Sequence, residues 1–371
     1  MSVLLGAIAD DFTGATDLSN TLIGSGMHVV QTIGVPLESI DFGTANAVVV
    51  ALKSRTAPVD RAVADSLAAL RWLRELGARQ FFFKYCSTFD STSKGNIGPV
   101  ADALLEELEE DFALICPAFP ANSRTVYMGH LFIGDRLLSE TPMKDHPLTP
   151  MQDANLLRLM DNQSIHRAGL IAYNVVSAGT EATERAIDSL RKRGIRYGVT
   201  DALSNDHLAN IGSAARTHAL ITGGSAVAQG LAENFRQEGL LGAAETPQLP
   251  RVAGTAAILA GSCSQATRNQ VACWQQNQHP VFKVDAGRIA RGEPVLDEIV
   301  AWINTLDDQP LLIYSSDDPA EVRAVQKQFG RELASAAIEK IMGEIAISLV
   351  GAGRRKLILA GGETAGAVVS A

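Results

Sequence analysis

The stretch Val3-Leu4-Leu5-Gly6-Ala7-Ile8-Ala9-Asp10-Asp11-Phe12-Thr13-Gly14-Ala15-Thr16-Asp17 runs from an aliphatic segment straight into two adjacent carboxylates. Its apolar half reads as a buried strand over residues 3–8, and a helical pattern follows over 15–26. Adjacent aspartates repel each other, and at the carboxyl end of a strand they sit in the crevice where open α/β sheets bind ligands. Either a polar ligand or a metal relieves that repulsion, or one of Asp10 and Asp11 caps the helix starting near Thr13 while the other is solvated.

Outward from this stretch the same rhythm repeats: a short aliphatic run, a polar or glycine-bearing loop, then an amphipathic helical pattern. Strands are expected at 28–34, 46–52, 79–85, 112–119, 169–175, 196–201 and 217–222, with helices at 58–76, 97–110, 181–193 and 225–238. The segment Gly239-Leu240-Leu241-Gly242-Ala243-Ala244-Glu245-Thr246-Pro247-Gln248-Leu249-Pro250 breaks that rhythm and reads as a linker. A second series follows: strands at 255–261, 281–285, 311–315 and 356–360, and helices at 265–277, 319–329, 331–350 and 365–371. The expected fold is α/β, with two domains, each a mostly parallel sheet flanked by helices. The expected boundaries are 1–243 for the first domain and 244–371 for the second. The last helical pattern, Ala365 to Ala371, is apolar and uncapped, which leads to the expectation that further C-terminal sequence belongs to the protein.

Two domains also suit a chain of 371 residues, since single cores stop growing below that length. A net charge of -9 argues against a general nucleic-acid binder. It leaves room for a small anionic substrate held by a local cluster of Lys and Arg. Cys86, Cys116, Cys263 and Cys273 are scattered without a Cys-x-x-Cys pair, so neither a zinc site nor a disulfide framework is supported. The first apolar run ends at Asp10, too short for a signal segment, and no apolar run is long enough to span a bilayer. A cytoplasmic location and no membrane partner are therefore expected.

Two further loops follow directly on strands: Lys53-Ser54-Arg55, and Lys84-Tyr85-Cys86-Ser87-Thr88-Phe89-Asp90-Ser91-Thr92-Ser93-Lys94-Gly95-Asn96. If the strands are parallel neighbours, these loops share an edge with Asp10 and Asp11. Lys53, Arg55 and Lys84 then suit a carboxylate, while Ser87, Thr88, Asp90, Ser91 and Thr92 suit sugar hydroxyls, so the edge describes a site for a small polyhydroxy acid. The alternative is a solvated loop whose hydroxyls cap the next helix. A lysine following Phe81-Phe82-Phe83 favours the site, because a buried charge needs a partner.

Glycine with hydroxyl recurs at strand ends in Gly223-Gly224-Ser225, Gly261-Ser262-Cys263-Ser264 and Gly361-Gly362-Glu363-Thr364. Such turns let a phosphate approach backbone amides, although strand-to-helix turns also favour these residues sterically. No Gly-Lys dipeptide, dinucleotide fingerprint, nucleophile elbow or His-x-x-x-His pair is present. Of the histidines, only His130 and His146 lie in polar loops suited to ligand contacts.

Together, Ile8-Ala9-Asp10-Asp11-Phe12-Thr13-Gly14-Ala15-Thr16-Asp17, Leu52-Lys53-Ser54-Arg55, Phe83-Lys84-Tyr85-Cys86-Ser87-Thr88-Phe89-Asp90-Ser91-Thr92, Lys94-Gly95-Asn96-Ile97-Gly98-Pro99 and the three glycine turns resemble the four-carbon acid sugar kinase family. Within it, the Phe83–Thr92 and Lys94–Pro99 segments are most similar to the 3-oxo-tetronate kinases. The resemblance implies an N-terminal acid-sugar-binding domain and a C-terminal nucleotide-binding domain. It implies ATP-dependent phosphorylation of the terminal (C4) hydroxyl of a 3-oxo-tetronate in acid-sugar breakdown. Erythronate or threonate kinase activity, or non-enzymatic sugar-acid binding, are the alternatives. ATP, with Mg2+, would contact Ser262 or Ser264 and the loop Ala360-Gly361-Gly362-Glu363-Thr364, with Gly223, Gly224 and Ser225 as further nucleotide-binding candidates. Arg55 and Lys84 would anchor the acid, Ser87 to Thr92 orient it, and Asp10 or Asp11 accept the hydroxyl proton or help hold magnesium. The implied partners are a sugar acid and ATP, a homodimer being allowed. Family members continue past the equivalent of Ala371 through another glycine-rich segment that touches ATP.

Overall fold

A computed structural model describes residues 3–38, 40–146, 148–243, 251–306 and 309–371. The chain divides into two compact units, Met1–Pro247 and Gln248–Ala371. The expected boundary at 243/244 adjoins residues 244–250, and most of the expected linker lies outside the described residues.

The first unit has strands β1 (Leu5–Ala9), β2 (Val29–Ile33), β3 (Ala47–Ala51), β4 (Gln80–Lys84), β5 (Ala113–Cys116), β6 (Arg124–Tyr127), β7 (His130–Ile133), β8 (Arg136–Leu137), β9 (Ala168–Ile171), β10 (Tyr197–Thr200) and β11 (Leu220–Gly223). Eight of these form one sheet in the order β2-β3-β1-β4-β11-β5-β10-β9. All of its neighbouring pairs are parallel. Every residue of β1, β3 and β4 is buried, as expected for parallel strands covered on both faces by helices.

From β1 the chain moves outward to β2, returns to β3, and then passes β1 to reach β4, so its direction of travel reverses between β1 and β4. A crevice opens at the carboxyl ends of strands at such a reversal. Ala9 lies opposite both Ala51 and Lys84, which ends the three strands at one level.

A short antiparallel ribbon, β6-β7-β8, was not expected from the sequence. Nor were the helices Leu156–Gln163 and Asn205–Ala214. The strand expected over 169–175 stops at Ile171, and Tyr173–Val176 turns into a helix. There the buried Asp201 accepts the Tyr173 amide at 2.8 Å, along with those of Met128 and Gly129, so tertiary pairing overrides the β preference of Val175 and Val176.

The second unit carries β12 (Ala256–Ala260), β13 (Val281–Lys283), β14 (Leu311–Tyr314) and β15 (Lys356–Ala360), all parallel, in the order β13-β14-β12-β15. Its first and fourth strands again flank the reversal. The long helix Arg331–Gly351 buries Ile341, Met342, Ile345 and Leu349 against this sheet's core. Helices Ala286–Ala290 and Val295–Asn304 fill the stretch for which no element was expected.

In the first unit, the helices Asn205–Ala214 and Ala228–Gln237 meet at glycines. A Cβ added to Gly212 would lie 2.5 Å from the Gly230 Cα, and Asn234 donates to the Gly212 carbonyl at 2.8 Å across the same crossing. Gly212→Ala is expected to lower stability by about 2 kcal/mol through overpacking; urea unfolding measures it, and an unchanged midpoint would show that the helices can move apart.

Candidate functional site

At the reversal between β1 and β4, Asp10 ties three segments together through its main chain. Its amide donates to the Lys84 carbonyl at 3.0 Å, and its carbonyl accepts the amides of Ser54 (3.0 Å) and Arg55 (3.2 Å). The loops carrying Asp10-Asp11, Lys53-Ser54-Arg55 and Lys84 to Asn96 therefore converge, as the sequence led us to expect.

Arg55 lies at the centre. Its Nε and Nη2 donate to Asp10 Oδ2 and Oδ1 at 2.9 and 2.8 Å, a two-pronged pair. Nη2 also lies 3.0 Å from Asp11 Oδ1, and Nη1 reaches Asp90 Oδ2 at 3.4 Å. Burial works against the guanidinium charge, but attraction to Asp10 and then Asp11 more than offsets it, so Arg55 is held more firmly charged than usual. Most of its donor edge is thus spent on aspartates.

The two adjacent aspartates are not equivalent. Asp10 is shut in, with 6% of its side chain exposed, against 29% for Asp11. Asp11 caps the helix Phe12–Gly24 by accepting the Gly14 amide at 2.7 Å on Oδ1, the oxygen that also meets Arg55. The same oxygen thus serves the helix cap and the contact with Arg55. Among the described residues, Asp11 Oδ2 has no hydrogen-bond partner. Burial, followed by repulsion from Asp10, raises the Asp11 carboxyl above its ordinary value, against the pull of Arg55 and Lys84.

Lys84 is buried, donating from Nζ to the Tyr85 carbonyl at 2.8 Å. A Cβ on Gly14 would lie 3.1 Å from that nitrogen and overlap Asp11, so glycine is what lets lysine and aspartate crowd the helix start. Beyond it, Thr88 donates to Asp90 Oδ1 at 2.6 Å and shares a 2.9 Å contact with Cys86 Sγ. Burial and then Asp90 push the Cys86 thiol up to about 11, so it stays protonated at neutral pH. Phe89 adopts a left-handed backbone conformation (φ 59°), rare for a bulky residue, while its ring packs edge-on against Tyr85. Ser91 is buried and Ser87 and Thr92 are partly exposed. Lys53 is exposed.

Asn96 was missed as a site residue. Its side-chain amide donates to the carbonyls of Ser54 and Ala57, both at 2.8 Å, and thereby locks the Arg55 loop to the end of the Lys84 loop. The Lys94-Gly95-Asn96 motif was the available signal, but partners 42 and 39 residues away in sequence are not visible in it.

The three glycine turns have different surroundings. Gly223-Gly224-Ser225 belongs to the first unit, where Gly223 lies opposite Lys84. Side chains on either glycine would press into the Cys116 and Pro117 carbonyls, and Ser225 donates to Asp17, so packing accounts for this turn. In the second unit, the Gly261 and Ser262 amides both donate to the Ala360 carbonyl, at 2.9 and 3.0 Å. A Cβ on Gly361, which has φ 125°, would come within 2.9 Å of the Ser262 nitrogen. Ser264 Oγ caps the helix Gln265–Gln276 by accepting the Thr267 amide. Beside these loops lies a cavity of about 170 Å³, lined by Gly261, Cys263, Glu363 and Thr364 on one side and by Val322 and Ile338 on the other. Gly362 begins the helix Gly362–Ser370 that follows Ala360.

His130 contacts the Met128 carbonyl and Asn155, and His146 contacts Thr149, so the hydrogen bonds of both serve neighbouring loops. Among the described residues, no three or more His, Cys, Asp or Glu converge as metal ligands. No helix among them is long and apolar enough to cross a membrane.

Two family models match the chain: a sugar-binding N-terminal domain over residues 5–231 and a nucleotide-binding C-terminal domain over residues 257–371. A 3-oxo-tetronate kinase of Burkholderia multivorans is 53% identical, the match spanning 99% of this chain and 86% of that protein. A 3-oxo-tetronate kinase of Cupriavidus necator is 51% identical over the same shares. Among solved structures, a Salmonella typhimurium LT2 protein, described as a proposed tRNA synthase, is 40% identical with a TM-score of 0.85, covering 99% of this chain and 87% of that one. The Haemophilus influenzae protein HI1011 is 43% identical with a TM-score of 0.77, covering 98% and 88%.

The raised Asp11 carboxyl has a consequence for stability. The native state holds this proton more tightly than the unfolded chain does. The stability it contributes is therefore fully present below the ordinary value of 3.8 and is lost as pH rises through the raised native value. Asn at position 11 keeps a capping oxygen and cannot titrate. Asp11→Asn should therefore gain stability relative to wild type as pH rises above 3.8, and then level off. Urea unfolding across that range checks it; parallel curves would mean that Asp11 is not strained by its burial.

Proposed function

This chain belongs to the four-carbon acid sugar kinase family, and from that premise we propose that it transfers the γ-phosphoryl group of ATP to the C4 hydroxyl of a 3-oxo-tetronate. The products are ADP and the 4-phosphate. The observation that carries this reading is the Arg55 guanidinium held among Asp10, Asp11 and Asp90 beside buried Lys84, at the strand reversal of a sugar-binding domain.

Phosphoryl transfer asks the protein to set an acceptor hydroxyl in line with the γ-phosphate and to offset developing charge. We assign proton acceptance from the C4 hydroxyl to Asp11. Its Oδ2 is unengaged among the described residues, its side chain is the more exposed of the pair, and its carboxyl is raised toward the range where a base works well. Asp10 acts as the partner that fixes Arg55. Lys84 and the remaining Nη1 hydrogen of Arg55 supply positive charge for the carboxylate or ketone of the acid. Thr88, Asp90, Ser91 and Thr92, with Ser87, supply hydroxyl and carboxylate groups for its polar oxygens.

The nucleotide reading rests on the match of the second domain and on the Gly261 to Ser264 and Gly361 to Thr364 loops, glycine-bearing turns that lead from strands into helices, the kind of turn at which phosphate is commonly bound. A magnesium ion accompanying ATP commonly takes one or two carboxylates, phosphate oxygens and water, and Asp10 or Asp11 would be the carboxylates to help hold it. Its chemistry would be to offset phosphate charge.

Assays with ATP and magnesium against 3-oxo-tetronate, erythronate and threonate test the substrate. Phosphate should appear on C4 of the 3-oxo acid; transfer to erythronate or threonate alone would overturn the choice. In the same assay Asp11→Asn should lose on the order of 100-fold in kcat, while full turnover would remove the base assignment.

A further inference from the structure

Gln163 ends the helix Leu156–Gln163 and lies outside every motif considered above, yet its side-chain amide makes three contacts with the acid-binding loop and the helix that follows it. Nε2 donates to Ser91 Oγ at 2.9 Å and to the Thr92 carbonyl at 2.5 Å. Oε1 accepts the Gly98 amide at 2.8 Å. The orientation of the amide follows from its partners: a backbone N–H can only donate and a backbone carbonyl can only accept, so the oxygen must face Gly98 and the nitrogen Thr92.

That orientation dictates the state of Ser91. A hydroxyl that accepts from an amide NH2 keeps its own hydrogen for another acceptor, and none is present for it among the described residues. Ser91 is 3% exposed, so bulk water is a poor partner. The neighbourhood is shaped for this arrangement. A side chain at Gly95 would overlap Ser91 Oγ, and a Cβ at Gly98 would lie 2.5 Å from the Gln163 Cβ. Asp102 holds the next turn of chain in place, accepting from Ser164 Oγ at 2.7 Å and from the Ile165 amide at 3.0 Å. Gln163 is therefore a strut with a fixed base.

We infer that Gln163 is a positioning residue that sets Ser91 as a hydrogen-bond donor to an acceptor oxygen, carboxylate or ketone, of the bound sugar acid. This rests on the reading of the Lys84 to Asn96 loop as the acid-binding loop. Gln163→Glu tests it, because a carboxylate still accepts from Gly98 but now also accepts from Ser91, turning the serine hydrogen away from the ligand. The full chain is compared as wild type, Gln163→Glu, Ser91→Ala and the double variant, by titration calorimetry with 3-oxo-tetronate, erythronate and threonate and by steady-state kinetics.

Gln163→Glu should weaken sugar-acid binding and raise its KM about tenfold, with the KM for ATP unchanged. In the Ser91→Ala background the same substitution should add nothing further, since the group it acts through is gone. Equal losses in both backgrounds, a matching rise in the KM for ATP, or wild-type behaviour would each overturn the inference. Gln163→Met, neutral and of similar length, carries the same cycle if the glutamate variant does not fold. Calorimetry reads the acid without turnover, so a protein that binds it but transfers no phosphate refutes the kinase reading and still tests Gln163.

Discussion

The first unit depends on one buried arrangement of charge: Arg55 gathered against Asp10, with Asp11 and Asp90 at its margins. Removing either side of such a group leaves an uncompensated buried charge, which costs far more than the intact pair contributes. The main chain of Asp10 joins the same place, bonding to the Lys84 carbonyl and to the amides of Ser54 and Arg55. Charge pairing and strand pairing thus constrain each other. The ends of β1, β3 and β4 cannot shift in register without pulling the guanidinium off its carboxylates.

Both units use the same chain path, second-third-first-fourth, and both place chemistry-bearing loops where the path reverses. What they put there differs. The first unit offers side chains: two aspartates after β1 and a lysine at the end of β4. The second offers bare backbone, with Gly261 after β12 and Gly361 after β15, close enough that neither position tolerates a side chain without displacement. A small polyhydroxy acid needs donors and acceptors matched oxygen by oxygen, which side chains supply. Phosphate favours a helix start without steric bulk, and Gly361 and Gly362 stand at such a start. One topology therefore suits two ligand chemistries through the residues at a single bend.

The strands of the large sheet were legible from their apolar runs, which are unbroken where both faces are buried, as in Ala47-Val48-Val49-Val50-Ala51. The ribbon β6-β7-β8 was not, because its strands are short and their burial irregular. Of the site, the charged residues could be read, since aspartate, arginine and lysine after apolar strands need an explanation. The amides that hold them could not. Asn96 and Gln163 are ordinary polar residues until folding brings them to carbonyls and hydroxyls 39 to 72 positions away. The repeated glycine turns show the converse limit: Gly223-Gly224 and Gly361-Gly362 look alike in sequence, yet the first pair is required by the close approach of β11 to β5, and Gly361 by its backbone conformation.

Asp11 shows how such a site distributes work between neighbours of identical chemistry. Both aspartates follow the same strand, and alternation along an extended backbone turns them in different directions. Asp10 is turned in and its two oxygens are taken by Arg55. Asp11 is turned toward the helix, where a single oxygen serves the cap and the ion pair together, leaving the other unengaged among the described residues. The cap and Arg55 favour the ionised form, while burial and Asp10 oppose it more strongly. A carboxylate held in place at one oxygen, open at the other and reluctant to stay ionised is what the proposed proton acceptor requires. The bare Asp-Asp pair leaves open which aspartate caps the helix; the geometry gives that task to Oδ1 of Asp11 and leaves Oδ2 unengaged among the described residues.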